Sequence, residues 1–203
     1  MKLVDENEVS KTVEPDEASP GRVPGEPGVW ILLFGDMLVF AVFFVLFMYQ
    51  RAQAPELFDA SRHTLNVGIG LANTVILLTS SLLVVTAIRA VRAGARAAAR
   101  TLLAGALACG LAFVGLKIVE YSSKVGEGHV PTENSFYMYY YVLTGLHLLH
   151  VLIGIVVLIS LLFAARVAAP SPTRMAFIEG GGCFWHLVDL LWIVLFPLIY
   201  LVS

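Results

Sequence analysis

The feature that most constrains this chain is a set of five long apolar runs that carry a few polar side chains. Each run can cross about 30 Å of hydrocarbon as a helix rising about 1.5 Å per residue. Only 14% of the 203 residues are charged, whereas soluble domains carry about 25%. We therefore expect an all-α integral membrane bundle whose five transmembrane helices cover residues 29–49, 65–88, 101–122, 136–165 and 178–201.

Residues 1–27 have a different composition, which is polar, acidic and rich in Pro and Gly. This composition predicts a disordered tail ahead of a membrane domain at 28–203. No basic segment precedes a short apolar stretch, so we expect no cleaved signal peptide.

The basic residues predict the orientation of the bundle. Nine Lys and Arg side chains fall on the side of the tail and of the second and fourth loops, and three fall on the other side. Positive charge collects on the cytoplasmic side of membrane proteins. This predicts a cytoplasmic N-terminus, an external C-terminus and a location in a bacterial inner membrane. No basic patch suggests nucleic acid.

Ionisable groups inside the last two spans are the first candidates for a functional site. Each costs about 2.5 to 3.5 kcal/mol to insert, so it needs an internal partner. His147 and His150 lie one turn apart in the fourth span, and His186 and Asp189 lie at a comparable depth in the fifth. We expect these four to form one hydrogen-bonded network between the two helices. Two stacked haems would need two well-separated histidines on each helix, so haem or metal ligation is disfavoured.

Other polar residues have a structural and a functional interpretation. Asp36 lies about 10 Å into the first span, where it could take up protons, contact lipid headgroups or lock two helices together. Lys117 and Glu120 are three residues apart near the outer surface, which predicts an interfacial ion pair.

Some positions are expected to serve helix packing. Asn66, Asn73 and Ser80 recur every seven residues, a pattern typical of closely packed membrane helices. Trp185, Asp189 and Trp192 share one face of the fifth span. The remaining candidates for packing roles are the glycines at 180–182 and two cysteines expected to be buried thiols, Cys109 and Cys183.

Several stretches resemble one family. The motifs are Gly-Asp at 35–36, LANTVILL at 71–78, KIVEY at 117–121, TGLHLLHV at 144–151 and FWHLVDLLW at 184–192. In this order, they resemble subunit III of haem–copper respiratory oxidases, in its five-helix form.

The resemblance implies a subunit with no cofactor of its own, beside partners that hold haem and copper or iron. It implies contact with catalytic subunit I and possibly subunit II, and with phospholipids. Asp36 stands where the family has a carboxylate linked to proton entry or lipid contact. The other positions that match buried polar sites of the family are Glu120, His147, His150, His186 and Asp189.

The sequence departs from the family pattern at two positions, and two other stretches indicate a subtype of the family. Lys117 replaces a neutral amide, and Pro197 is expected to kink or loosen the last span. The tyrosine-rich start of the fourth span and the end of the fifth look most like subunits associated with nitric oxide reductases. The alternative function is a small independent proton- or ion-conducting protein. A third possibility is an assembly factor for the same complexes.

Overall fold

The computed structural model describes residues 27–166 and 171–202, which form an all-helical bundle. The predicted N-terminal tail lies outside the described residues. All helices except the short second one are long and apolar enough to cross a membrane, which confirms the five predicted spans. The helices are α1 (Pro27–Gln53), α2 (Pro55–Arg62), α3 (Val67–Arg92), α4 (Arg96–Gly126), α5 (Ser135–Ala164) and α6 (Pro172–Phe196).

Helix α2 forms where the sequence analysis expected only a connecting loop. Pro55 occupies its first turn, a position that tolerates the missing N–H group of proline. Phe58 points into the bundle, with its ring 5.4 Å from Phe47 of α1 and 5.6 Å from Phe136 of α5. The edge-on contacts fix the C-terminal end of α1 to the start of α5.

Short polar residues and glycines set the helix ends. The Asn66 side chain accepts a hydrogen bond from the N–H group of Ile69 at the start of α3, so the prediction that Asn66 belongs to a packing stripe is wrong. Its place just before the helix lets its side chain cap an otherwise unpaired amide. Gly94 and Gly128 adopt positive φ angles of 73° and 91°, a conformation that ends α3 and α4 without steric cost.

The polar face of α3 packs closely against α4. The Ser80 hydroxyl donates to the backbone carbonyl of Ala106 at 3.0 Å, and both residues are fully buried. Hydrogen bonds of this kind require the two backbones to approach closely. The packing role predicted for Ser80 is therefore confirmed.

Helix α6 packs on its neighbours through glycines. A Cβ atom at Gly154 of α5 would lie 2.7 Å from the Trp185 ring, and one at Gly110 of α4 would lie 3.0 Å from it. A Cβ atom at Gly181 would lie 2.9 Å from the side chain of Val157 of α5, and one at Gly182 would come even closer to that of Ile88 of α3. The predicted packing role of this glycine run is confirmed.

The last turn of the chain widens into a π-helical segment at Pro197–Leu201. Proline has no N–H group to donate to the preceding turn, so the regular hydrogen-bond pattern is interrupted there. This confirms that Pro197 loosens the last span. The wider turn directs the buried Tyr200 ring into the core.

Helix α1 lies at the edge of the bundle and packs against α5 and α6. Its outward side chains are strongly exposed and apolar, for example Ile31 at 76% and Val45 at 68%. A surface of this composition is suited to acyl chains or to another membrane helix.

Candidate functional site

Asp36 and His150 form an ion pair between α1 and α5, with Oδ1 of the carboxyl 2.9 Å from Nε2 of the imidazole. The other ring nitrogen, Nδ1, lies 2.7 Å from the carbonyl oxygen of Leu146. A carbonyl can only accept, so Nδ1 carries a hydrogen atom and donates it. Nε2 is therefore the ring nitrogen that faces the Asp36 carboxyl.

A carboxyl and an imidazole in contact place no net charge in the hydrocarbon, where an isolated charge is costly. Phe40 packs its ring 5.4 Å from that of His150. The second carboxyl oxygen, Oδ2 of Asp36, is buried and has no hydrogen-bond partner among the described residues.

A second polar contact joins α3 to α6. The Ser81 hydroxyl lies 2.5 Å from Nδ1 of His186 and close to the Asp189 carboxyl. Within the described part of the chain, Oδ1 of Asp189 has no partner. Ser81 therefore lies between an imidazole and a carboxyl that are one turn apart on α6.

His147 is sealed inside the bundle. Its ring lies 5.6 Å from that of Phe113 and 5.2 Å from that of Trp192, and its side chain is fully buried. Neither ring nitrogen has a hydrogen-bond partner in residues 27–166 and 171–202. Trp192 donates its indole N–H to the Thr74 hydroxyl at 3.0 Å.

The structure contradicts the predicted network between the last two spans. Residues three apart on a helix point about 60° away from each other, so the two histidines of α5 face different neighbours. His150 faces α1, His147 faces α4 and α6, and His186 and Asp189 both face α3. No hydrogen bond between the described residues links a histidine of α5 to His186 or Asp189.

Lys117 and Glu120 form the predicted ion pair, with Nζ 2.7 Å from Oε2. The prediction that this pair is interfacial is wrong, because both side chains lie inside the bundle, at 0% and 1% exposure. The Tyr200 hydroxyl donates to the other oxygen of Glu120. Four aromatic rings surround the ammonium group at 5.2 to 5.9 Å, those of Tyr121, Tyr140, Trp192 and Tyr200.

The remaining candidates occupy packing positions. Trp185 is buried between α4, α5 and α6. Asn73 is fully buried, and its amide has no hydrogen-bond partner among the described residues. Cys109 and Cys183 are free thiols and only partly buried, so the prediction of fully buried thiols is wrong.

A polar clamp joins the C-terminal end of α4 to the segment that precedes α3. The Lys124 ammonium donates to the carbonyl of Thr64 at 2.6 Å and to the carboxylate of Glu127 at 2.5 Å. The hydrogen bond from Lys124 holds the pKa of Glu127 below its usual value, with Ser123 as a second donor. The hydrogen bond from Arg62 likewise lowers the pKa of Asp59 in α2.

Sequence reasoning missed the partners of several site residues. Neither Ser81 nor Tyr200 is among the candidates that the sequence singles out. The spacing of serine and asparagine along α3 was the one signal that could have suggested a partner for His186. Within the described residues, no three His, Cys, Asp or Glu side chains lie close enough together to share a metal ion.

Comparison with known proteins agrees with the family resemblance. The family described as "Cytochrome c oxidase subunit III" matches residues 25–203. Subunit 3 of the cytochrome bo(3) ubiquinol oxidase of Pseudomonas aeruginosa is 29% identical over 87% of this chain and 84% of its own length.

Two further relatives come from other bacteria. Subunit 3 of the cytochrome c oxidase of Alkalihalophilus pseudofirmus is 30% identical over 87% of this chain and 85% of its own. Subunit 3 of the quinol oxidase of Bacillus subtilis is 28% identical over 87% and 86%, respectively. The chain belongs to the cytochrome c oxidase subunit III family and is a membrane protein. The nitric-oxide-reductase-associated subtype stays a prediction.

Proposed function

We propose that this family member is a non-catalytic subunit of a haem–copper oxidase-superfamily complex in a bacterial inner membrane. It packs against catalytic subunit I, and possibly subunit II, with its N-terminus in the cytoplasm. The partners carry the haem and the copper or iron, and this chain carries no redox centre. The observation that carries the proposal is the family match across all five spans.

Asp36 and His150 are the groups that we expect to support proton uptake. Their side chains are 17% and 14% exposed, so the pair can be reached from outside the bundle. The exposed edge of the Asp36 carboxyl would take up an incoming proton and then release it to the partner subunit, so that the pair returns to its original charge.

The same exposed position suits contact with lipid. A phospholipid against α1 would cover the edge of the pair and exclude bulk water from it. The apolar outward face of α1 favours such contact, because acyl chains match its side chains.

The arrangement of the polar groups disfavours an independent proton or ion conductor. A conducting path needs polar groups that follow one another across the membrane. In the described residues they form separate sites instead. Phe113 and Trp192 seal His147 away from its neighbours, and no described hydrogen bond links His150 to His186.

Co-purification tests the subunit assignment. We expect a tagged chain, extracted in mild detergent, to recover a haem-bearing subunit at one-to-one stoichiometry, and the isolated chain to show no Soret band. A haem spectrum that follows this polypeptide alone would refute the assignment. Recovery only during assembly, with none from the mature complex, would favour an assembly factor.

Two assays test the role of Asp36 and the alternative function. In the complex, Asp36→Asn should slow proton uptake or shorten the time before turnover inactivation. The matched control, Asp189→Asn, should change neither quantity. In liposomes without a partner we expect no proton flux, whereas a flux that is lost in Asp36→Asn would support the conductor.

A further inference from the structure

Two cavities in the inner half of the bundle meet at His186. One, of about 300 Å³, lies between α1 and α6 and is lined mainly by apolar side chains, including Trp30, Phe34 and Leu190. The other, of about 200 Å³, lies between α3 and α6 beside Arg89. His186 and Cys183 form part of the wall of both.

His186 has one ring nitrogen available to a ligand. Nδ1 is held by Ser81, and in the described residues no protein group bonds to Nε2. The imidazole is therefore oriented by a protein partner and offers its second nitrogen at the cavity wall. Small-molecule sites are commonly apolar clefts with a few fixed polar groups of this kind.

Ser81 lets this nitrogen act either as a donor or as an acceptor. If the Ser81 hydroxyl donates to Nδ1, the neutral imidazole carries its hydrogen atom on Nε2, which can then donate. If Nδ1–H donates to the Ser81 hydroxyl instead, Nε2 is a bare acceptor. The two states hold the same number of protons, and neither needs a rotation of the ring.

The depth of His186 limits what can bind to it. The Arg92–Glu179 ion pair, at 2.9 Å, closes the inner ends of α3 and α6 and marks the inner surface. His186 is seven residues further along α6, about 10 Å deeper. Phospholipid headgroups stay at the interface, so a partner for Nε2 must carry its oxygen within the hydrocarbon.

We propose that the cavity between α1 and α6 binds the ring of a membrane-dissolved quinone or hydroquinone, with a ring oxygen bonded to Nε2 of His186. Trp30 and Phe34 provide flat aromatic surfaces for the ring, and the lipid side of the groove accommodates an isoprenoid tail. A quinone carbonyl accepts from Nε2–H, and a hydroquinone hydroxyl donates to a bare Nε2. The site binds the ring and transfers no electrons.

Photoaffinity labelling tests this site. The full-length chain is placed in nanodiscs with an azido-ubiquinone analogue, irradiated, and mapped by mass spectrometry. We expect saturable labelling of the segments around Trp30 and His186 that excess decylubiquinone competes away. His186→Phe should weaken the apparent affinity about tenfold, the effect of losing one hydrogen bond.

A pair of tryptophan variants separates a defined site from general lipid exposure. Leu190→Trp fills the cavity and should abolish the saturable labelling. Leu111→Trp adds the same ring to an exposed position of α4 and should leave labelling unchanged.

Three outcomes would refute the site. These are labelling that rises linearly with quinone content, labelling that is equal in Leu190→Trp, and capture of a photoreactive phospholipid in the same segments with no competition by decylubiquinone. The third outcome would show that the cavity binds the acyl chains of lipids and not a quinone ring. None of these outcomes depends on co-purification with a haem-bearing subunit, so this site and the proposed function can fail separately.

Discussion

Lys117 Nζ lies 2.7 Å from Oε2 of Glu120 in the core of the bundle, and neither side chain reaches the surface of the bundle. Transferring both charges out of water is costly, and their attraction offsets this only if the remaining donors and acceptors are satisfied. Tyr200 meets both requirements, because it donates to Glu120 and its oxygen lies 3.2 Å from Nζ. The surrounding aromatic faces add cation–π attraction to the ammonium group.

The first prediction concerns removal of one partner of this pair. Glu120→Leu leaves an unpaired ammonium group in the core and should lower the free energy of unfolding by about 3 to 5 kcal/mol. Lys117→Met should cost less, since the Tyr200 hydroxyl still donates a hydrogen bond to the Glu120 carboxyl. Thermal unfolding of the purified chain in detergent measures both.

The double variant is the control for that prediction. Lys117→Met with Glu120→Leu removes both charges and should be close to wild type or more stable. A double variant that is as unstable as Glu120→Leu would show that packing rather than charge is responsible.

The second prediction concerns glycine at the contact between α5 and α6. Gly154→Ala places a methyl group 2.7 Å from the buried Trp185 ring and should cost about 1 to 3 kcal/mol through overpacking. Gly115→Ala on α4 is the matched control, because its new methyl group meets nothing within 4 Å. It should be neutral or stabilise the helix by up to about 1 kcal/mol. Equal unfolding temperatures for the two variants would contradict the packing argument.

The third prediction compares two buried carboxyl groups. From the sequence alone, Asp189 would be expected to hold the helices together more strongly than Asp36. The contacts favour the opposite order: each carboxyl has one unpartnered oxygen, but Asp36 also pairs with Nε2 of His150, whereas Asp189 forms no ion pair with a described residue.

Asp36→Ala should therefore cost about 1 to 3 kcal/mol, and Asp189→Ala should cost less. Asp36→Asn, which can still hydrogen-bond His150, should recover most of the loss. Urea or thermal unfolding of the three variants in one detergent provides the comparison. A larger loss of stability for Asp189→Ala than for Asp36→Ala would support the order expected from the sequence and contradict this prediction.

The fourth prediction concerns pH. The pKa of Glu127 is lowered in the folded protein by the hydrogen bond from Lys124. A carboxyl whose pKa is lower when folded stabilises the protein above its unfolded pKa and loses this effect as the pH falls through the folded value. The stability contribution of Glu127 should therefore be complete above about pH 5 and absent in strong acid.

Glu127→Gln should accordingly be less stable than wild type at neutral pH, and the two proteins should converge as the pH falls below about 4. Glu56→Gln is the control, because Glu56 makes no ion pair within the described residues. Melting temperatures measured from pH 7 to pH 3 test this. A difference between Glu127→Gln and wild type that is constant across the range would rule out the linkage.

The membrane bundle could be predicted from sequence because its signals are local. Uninterrupted apolar runs are enough to place α1, α3, α4, α5 and α6, since crossing hydrocarbon depends on the length and composition of each segment. The ion pair of Lys117 and Glu120 was also predictable, because both residues belong to one helix and lie three positions apart.

The partners of the buried histidines could not be predicted, because they depend on which helices become neighbours. His147 and His150 are one turn apart, yet His150 meets α1 while His147 is enclosed by aromatic rings from α4 and α6. Ser81 could not be recognised as the partner of His186 from the sequence, because the two residues meet only when α3 packs beside α6.

The sequence alone determined that this chain crosses a membrane five times and which family it resembles, because hydrophobicity and short motifs are properties of contiguous residues. Only the tertiary structure decided that Asp36 pairs with His150, that His186 pairs with Ser81 and that Lys117 lies in the core. A rotation of about 100° per residue points adjacent side chains at different neighbours, and those neighbours are known only once the helices are packed.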